Sequence, residues 1–262
     1  MRRCQRVSRI GTFSISACEA KPMLDKSTNL AELLSQAETN VAAPLQQQLR
    51  VCRKLFDTEK ITNLGELYET LSNNGSSNRA RAAACWLVGW LGLTEARGSL
   101  FSRLENDADS DVVWEAARAL SNLPGTARRI EALLQTSNEP ERMTAMVWAL
   151  GNIGERRSVS PLIRILQDTS ANPRLRGHAA EALGSCGDRA ASQVLIEGLA
   201  DAAPEVRFWS AFALGELGEE RALPDLESLA ESDHVRVPGW HSVAVEARDA
   251  VSKIIQSTRG RT

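Results

Sequence analysis

The side chains that most often carry catalysis or bind metals are sparse in this sequence. It contains three histidines and five scattered cysteines: His178, His234, His241, Cys4, Cys18, Cys52, Cys85 and Cys186. It contains no Cys-x-x-Cys pair, no His-Glu-x-x-His motif and no His/Cys cluster with zinc-ligand spacing. The cysteines are typical of free thiols in a reducing compartment, and we expect neither a metal site nor a cofactor.

Two of the histidines allow a second interpretation. His234 and His241 share one long loop in which they could converge, although two solvated histidines explain the pattern equally simply. Cys85 and Cys186 lie within helical segments, where cysteine acts as a small apolar residue. No glycine-rich phosphate loop, nucleophile elbow or kinase motif occurs. The sequence therefore leaves enzymatic activity undecided and favours a non-catalytic role.

The chemistry that the sequence does offer is that of binding. Five segments of fifteen residues repeat, and large aromatic or charged side chains recur at positions 5, 9 and 13 of the repeat. These residues are Trp86, Trp90, Trp114, Arg118, Trp148, Glu181, Phe208 and Phe212. Half of the twelve aromatic residues of the chain fall at these positions. Because tryptophan and arginine anchor many interfaces, we predict that these eight residues bind a partner.

The repeated segments are predicted to be amphipathic helices. They begin at residues 78, 110, 140, 173 and 204, and their matching leucine or valine positions are 32, 30, 33 and 31 residues apart. Positions 3, 7, 10, 11 and 14 share one side of such a helix and form the core, so positions 2, 5, 9 and 13 lie opposite. We interpret the glycines as helix closers, for example Gly154, Gly187 and Gly218.

A shorter helix precedes each repeated helix, as in residues 158–167 and 191–199. Arg81, Arg176 and Arg207 occupy position 4, at the margin of the core, and Asp168 and Asp201 lie a few residues upstream of the last two. We expect these groups to form a ladder of charge-assisted hydrogen bonds between loops and helices.

The repeat resembles the short HEAT-like repeats named for phycobilisome lyases. The pattern P-x-V-R-x-x-A-x-x-A-L-G-x-x-G is almost complete in residues 204–218 and 173–187, and the resemblance extends over roughly residues 61–255. It implies an all-α fold, a right-handed α-solenoid of antiparallel helix pairs whose second helices line the concave face. The aromatic residues would then be exposed in a groove. In the alternative, curvature of the solenoid or the N-terminal helices cover them.

The remaining segments are predicted to cap the repeats. Residues 1–22 form a disordered or targeting extension with four arginines, or Met23 is the true start. Residues 23–60 form an N-terminal helical cap with helices at 30–38 and 44–56, and residues 61–257 form the solenoid. The last linker is lengthened by residues 237–240, so the helix at 240–255 is expected to be a C-terminal cap, followed by a tail at 258–262.

Composition narrows the classes of partner. A net charge of −2 argues against nucleic acid, and no run of 18 apolar residues indicates a membrane helix. We predict a cytoplasmic scaffold or adaptor that binds another protein, or a second copy of itself.

The resemblance also implies an alternative, a phycobilin lyase-like subunit or a tetrapyrrole-binding chaperone of antenna proteins. Deoxyhypusine hydroxylases contain similar repeats and bind iron through His-Glu pairs, but no histidine here precedes a glutamate. Alkylpurine glycosylases of similar repeats need a basic concave face, whereas the charges here are mixed.

Overall fold

The computed structural model describes residues 24–39 and 41–259. The predicted extension at residues 1–22, and residues 260–262 of the predicted tail, lie outside the described residues. Within the described part, fourteen α-helices and four short 3-10 turns account for the regular structure, together with two isolated β-bridges. The predicted all-α fold of repeated helix pairs is confirmed. The described residues form two compact units, 24–124 and 125–259.

The first unit contains six helices. They are α1 (Leu30–Thr39), α2 (Ala43–Glu59), α3 (Leu64–Ser72), α4 (Asn78–Leu91), α5 (Arg97–Asn106) and α6 (Ser110–Ser121). α3 pairs with α4, α5 pairs with α6, and the second helices α4 and α6 pack against each other. A β-bridge between Asn29 and Asn63 ties the start of α1 to the start of α3. The two helices predicted before residue 60 are confirmed.

The second unit repeats the same arrangement with eight helices. They are α7 (Ala127–Thr136), α8 (Pro140–Ile153), α9 (Val159–Gln167), α10 (Pro173–Cys186), α11 (Ser192–Gly198), α12 (Pro204–Leu217), α13 (Leu223–Ser232) and α14 (Val243–Arg259). The second helices α8, α10, α12 and α14 pack in succession, and each contacts the shorter helix that precedes it. α14 begins three residues later than predicted because residues 235–243 form a small bridged loop.

Close packing of successive second helices depends on glycine at position 12. A Cβ added to Gly89 would lie 2.4 Å from the Cα of Ala119, and one added to Gly184 would lie 2.7 Å from the Cα of Ala213. Gly151 and Gly215 meet Ala182 and Ala250 in the same way. The interpretation of all glycines as helix closers is therefore wrong for these four, although Gly154, Gly187 and Gly218 do close their helices with left-handed φ.

The predicted arginine ladder is present, but its aspartates lie in the following linker. Arg81 donates from Nε to Asp107 at 2.9 Å, and Arg207 donates to Asp233 at 2.7 Å. Arg176 pairs with Asp201 in the same manner. Each arginine thus joins its own second helix to the next helix pair, because its side chain extends along the array toward the following loop. The expected pairing with upstream aspartate side chains is corrected accordingly.

Asp107 is the most heavily bonded aspartate of this ladder. It accepts from Arg81 and also from Arg103 Nη1 at 2.9 Å, and it is 4% exposed. Burial acts to raise its pKa, but the hydrogen bonds from the two guanidinium groups outweigh burial and lower the pKa to about 2. This residue therefore stabilises the fold as a carboxylate.

Candidate binding surface

The eight residues predicted to bind a partner divide by exposure. We call the side of the second helices that carries positions 2, 5, 9 and 13 the second-helix face. Trp86 and Phe208 are buried, at 9% and 1% exposed, so the expectation that they are exposed is wrong. The other six remain accessible: Trp90, Trp114, Trp148, Glu181 and Phe212 are half-buried and Arg118 is exposed.

In α4, the buried tryptophan supports the accessible one. The rings of Trp86 and Trp90, one turn apart, are stacked with centroids 5.9 Å apart and an angle of 3° between their planes. Trp86 thus forms a fixed base on which Trp90 lies half-exposed. A rigid aromatic ring at a surface offers contact area at a low entropic cost of ordering.

In α6, an aromatic residue and a cation lie one turn apart. Trp114 is half-buried, and the Arg118 side chain is 46% exposed. Nε of Arg118 lies 3.5 Å from Oε2 of Glu115. Burial raises the pKa of the Glu115 carboxyl, and the positive charge of Arg118 opposes this shift. This part of the second-helix face therefore combines an apolar ring with a guanidinium.

The corresponding face of α8 and α10 carries charges of both signs. Trp148 is half-buried on α8. Arg174 Nη1 donates to Glu141 at 2.9 Å, and His178 Nδ1 lies 2.9 Å from Glu181 Oε2. These groups surround the indole with acidic and basic side chains, as the sequence indicated.

Around α12, six side chains form what we call the aromatic cluster: His178, Phe208, Trp209, Phe212, Trp240 and His241. Trp209 lies at its centre, with ring centroids 5.1 Å from those of Phe208 and Trp240 and 5.5 Å from that of Phe212. Phe208 is buried because Trp240 and His241, from the lengthened linker, lie against its ring at 5.9 and 5.2 Å. That linker was recognised in the sequence, but its packing could not be.

Phe212 is the accessible edge of this cluster. Its ring is half-buried, and Nζ of Lys253 in α14 lies 5.0 Å from the ring centroid. A cation over an aromatic face is favourable even near solvent. The second-helix face of α12 therefore ends in an aromatic ring bordered by a positive charge.

The two loop histidines have different environments. His234 is exposed, whereas Nε2 of His241 lies 2.8 Å from Oε2 of the buried Glu246. Asp249 joins this pair, and the three side chains bring possible ligand atoms within 4.8 Å of one another. Sequence reasoning missed this group because it sought histidines and cysteines. The signal was a histidine followed by carboxylates three residues apart in a helix.

The described cysteines are buried free thiols: Cys52, Cys85 and Cys186. Burial raises the pKa of Cys52 to about 12 and that of Cys186 to about 11. Their packing agrees with the predicted role of Cys85 and Cys186 as small apolar residues. A thiol with a raised pKa is a poor nucleophile at neutral pH.

Comparison with known families follows the repeats seen in the fold. A sequence model described as HEAT repeats matches residues 66–145, 126–203 and 169–240, more than half of the chain. The chain belongs to the HEAT-repeat family. The helix pairs α3–α4 to α13–α14 are thus HEAT-type units, as the sequence pattern predicted. Among the described residues, no helix is both long enough and apolar enough to cross a bilayer.

Individual proteins show more distant similarity. Deoxyhypusine hydroxylase-B of Oryza sativa subsp. japonica is 33% identical over 127 residues, which cover 47% of this chain and 42% of that protein. The chain therefore matches less than half the length of this relative.

Solved structures with similarity include human deoxyhypusine hydroxylase with glycerol (19% identity, TM-score 0.42, 87% of this chain and 84% of that one). The complex of CpcE and CpcF of phycocyanin lyase from Nostoc gives 18% identity, a TM-score of 0.43 and coverage of 91% and 100%. A designed armadillo repeat protein with a (KR)4 peptide gives 21% identity, a TM-score of 0.43 and coverage of 72% and 98%.

Proposed function

We propose that the protein is a non-catalytic scaffold or adaptor that binds another protein through the accessible residues of the second-helix face. One observation supports this proposal above all. Four aromatic rings, those of Trp90, Trp114, Trp148 and Phe212, remain half-exposed on helices whose opposite sides form the core. Exposed apolar side chains that recur on one face are typical of interaction surfaces.

The chemistry of the face indicates the kind of partner. Arg118 is positive and Glu181 is negative, and both lie beside aromatic rings on their helices. We infer a protein segment with an apolar side bordered by charges of both signs, such as an amphipathic helix. Trp86 and Phe208 have a different role from the one first predicted: they are buried and hold their neighbours in place.

The partner can be identified by co-purification from the native host with tagged protein. Trp114→Ala and Trp148→Ala are made separately, because the two residues lie in different compact units. Both side chains are half-exposed, so we expect both variants to fold, which circular dichroism checks. The matched control is Ile255→Ala, which removes an apolar side chain that is 38% exposed and lies off this face.

The expected result is one partner that the wild type and the Ile255 variant retain and that the tryptophan variants lose. Retention of the same partner by all four proteins would refute the proposal. A homodimer is a distinct outcome, detected by sedimentation of the purified protein before any partner is added. In that case the tryptophan variants would sediment as monomers.

The parallel stack of Trp86 and Trp90 favours a second candidate, because a flat indole surface also suits a flat ligand. This is the role of a phycobilin lyase-like subunit or of a tetrapyrrole-binding chaperone of antenna proteins. Mixing the purified protein with a bilin tests it directly. A change in bilin absorbance that Trp90→Ala abolishes would favour this candidate, and an unchanged spectrum would exclude it.

We do not extend the proposal to the hydroxylation that the rice relative's name describes. The chain matches 42% of that protein, and none of its three histidines is followed by glutamate. The free thiols at Cys52, Cys85 and Cys186 support placement in a reducing compartment such as the cytoplasm.

A further inference from the structure

We propose that His241, Glu246 and Asp249 form a binding site for a divalent transition-metal ion, with Zn²⁺ as the best-suited probe. The three side chains bring possible ligand atoms within 4.8 Å of one another. This inference is independent of the proposed function, because it rests on the lengthened linker and the start of α14.

The donor set suits such an ion. Zn²⁺ binds imidazole nitrogen at about 2.0–2.1 Å and carboxylate oxygen at about 2.0–2.2 Å in a tetrahedron, which separates neighbouring ligand atoms by roughly 3.3 Å. The His241–Glu246 pair is already 2.8 Å apart. Half-buried His241 and Asp249 therefore need only small side-chain movements, and a fourth position is left for water.

The backbone holds the ligands in register. The amide of Val237 donates to the carbonyl of His241 at 3.3 Å, and a β-bridge joins Arg236 to Ser242. The amide of Glu246 donates to the carbonyl of Ser242 at 3.2 Å, which fixes the first turn of α14 relative to the histidine. A site whose ligands are held by regular backbone contacts loses little entropy on binding.

Packing restricts the ligands further. The ring of Phe208 lies 5.2 Å from that of His241, and Glu246 is only 2% exposed. Asp249 brings a second carboxylate to this buried acid. A dication offsets the repulsion between two carboxylates held close together, and a partly buried site strengthens that attraction. Arg248, the nearest basic residue in sequence, donates to the carbonyl of Ala230 at 3.2 Å.

The experiment is calorimetric titration of Zn²⁺ into untagged, metal-free full-length protein. His241→Ala and Asp249→Asn each remove one ligand, while His234→Ala removes an exposed histidine of the same loop and is the matched control. We expect one site per chain, with affinity at least tenfold lower in the two ligand variants and unchanged in the control. Absence of binding to the wild type at micromolar Zn²⁺, or equal binding by all variants, would overturn the proposal.

Thermal unfolding provides a second readout that also detects variants that fail to fold. An ion at a hundredfold excess over its Kd raises the Tm of a domain this size by about 5–11 °C. We expect this rise in the wild type and in His234→Ala, and not in folded His241→Ala. A rise of equal size in His241→Ala would assign the bound ion to other groups, such as the thiols, and would overturn the site.

Discussion

Replacement of Gly89 by alanine tests how the second helices pack. The added Cβ would lie 2.4 Å from the Cα and 2.7 Å from the Cβ of Ala119, whereas ordinary contacts begin near 3.4 Å. The obstacle is backbone, so α4 and α6 must move apart by about 1 Å. Overpacking of this kind costs about 1–3 kcal/mol, and the better helix propensity of alanine returns about 1 kcal/mol. Because a rigid contact favours the upper end, we expect a net loss of about 2 kcal/mol.

The assay is thermal and urea unfolding followed by circular dichroism. A loss of about 2 kcal/mol lowers the Tm by about 4–8 °C for a domain of this size. The matched control is Gly98→Ala in α5 of the same unit, where an added Cβ meets nothing within 4 Å. There the helix propensity acts alone, and we expect stability to stay equal or rise by up to about 1 kcal/mol.

The comparison of the two variants decides the matter. If Gly89→Ala proved as stable as Gly98→Ala, the close approach of α4 and α6 would not be a requirement of the fold. The double variant Gly89→Ala/Ala119→Gly adds a coupled test, because it moves the methyl group from one helix to the other. We expect it to recover part of the lost stability, and strict additivity would contradict a direct contact.

Two further predictions concern titratable groups. The pKa of Asp107 is lowered from 3.8 to about 2, so its contribution is complete above about pH 4 and is lost as the pH falls toward 2. This shift corresponds to about 2 kcal/mol, and urea unfolding should show the loss in the wild type and not in Asp107→Asn; equal acid sensitivity would contradict it. Burial raises the pKa of Cys186 to about 11, with Asp188 adding to it, so alkylation at neutral pH should be slow in folded protein and fast in denaturant. Mass-spectrometric mapping checks this, and rapid labelling of folded protein would contradict it.

Much of the fold was predictable because the repeat is written in local patterns. The second helices, their left-handed glycines and the arginine ladder all follow from periodicity within about fifteen residues. The partners of Gly89 and Arg81 did not follow, because both lie in the next helix pair, and a pattern within one repeat does not show which neighbour a side chain reaches. The same limit explains why the aspartates of the ladder were assigned to the wrong linker.

The binding face was predictable in position but not in exposure. Helical spacing placed Phe208 opposite the core of its own helix, and that placement holds. It is buried because Trp240 and His241 return over it from the lengthened linker. Such burial by a distant loop depends on tertiary packing, so it is absent from any helical projection. The cluster of His241, Glu246 and Asp249 was missed for the same reason.

The most direct test of the proposed function is the Kd of the purified partner for four proteins: the wild type, Trp114→Ala, Trp148→Ala and Ile255→Ala. Truncation of an interface anchor commonly costs more than 1 kcal/mol, and 1.4 kcal/mol corresponds to tenfold in affinity. We predict that each tryptophan variant binds about tenfold or more weakly, while the Ile255 variant binds like the wild type. Wild-type affinity in both folded tryptophan variants would show that the second-helix face is not the binding surface.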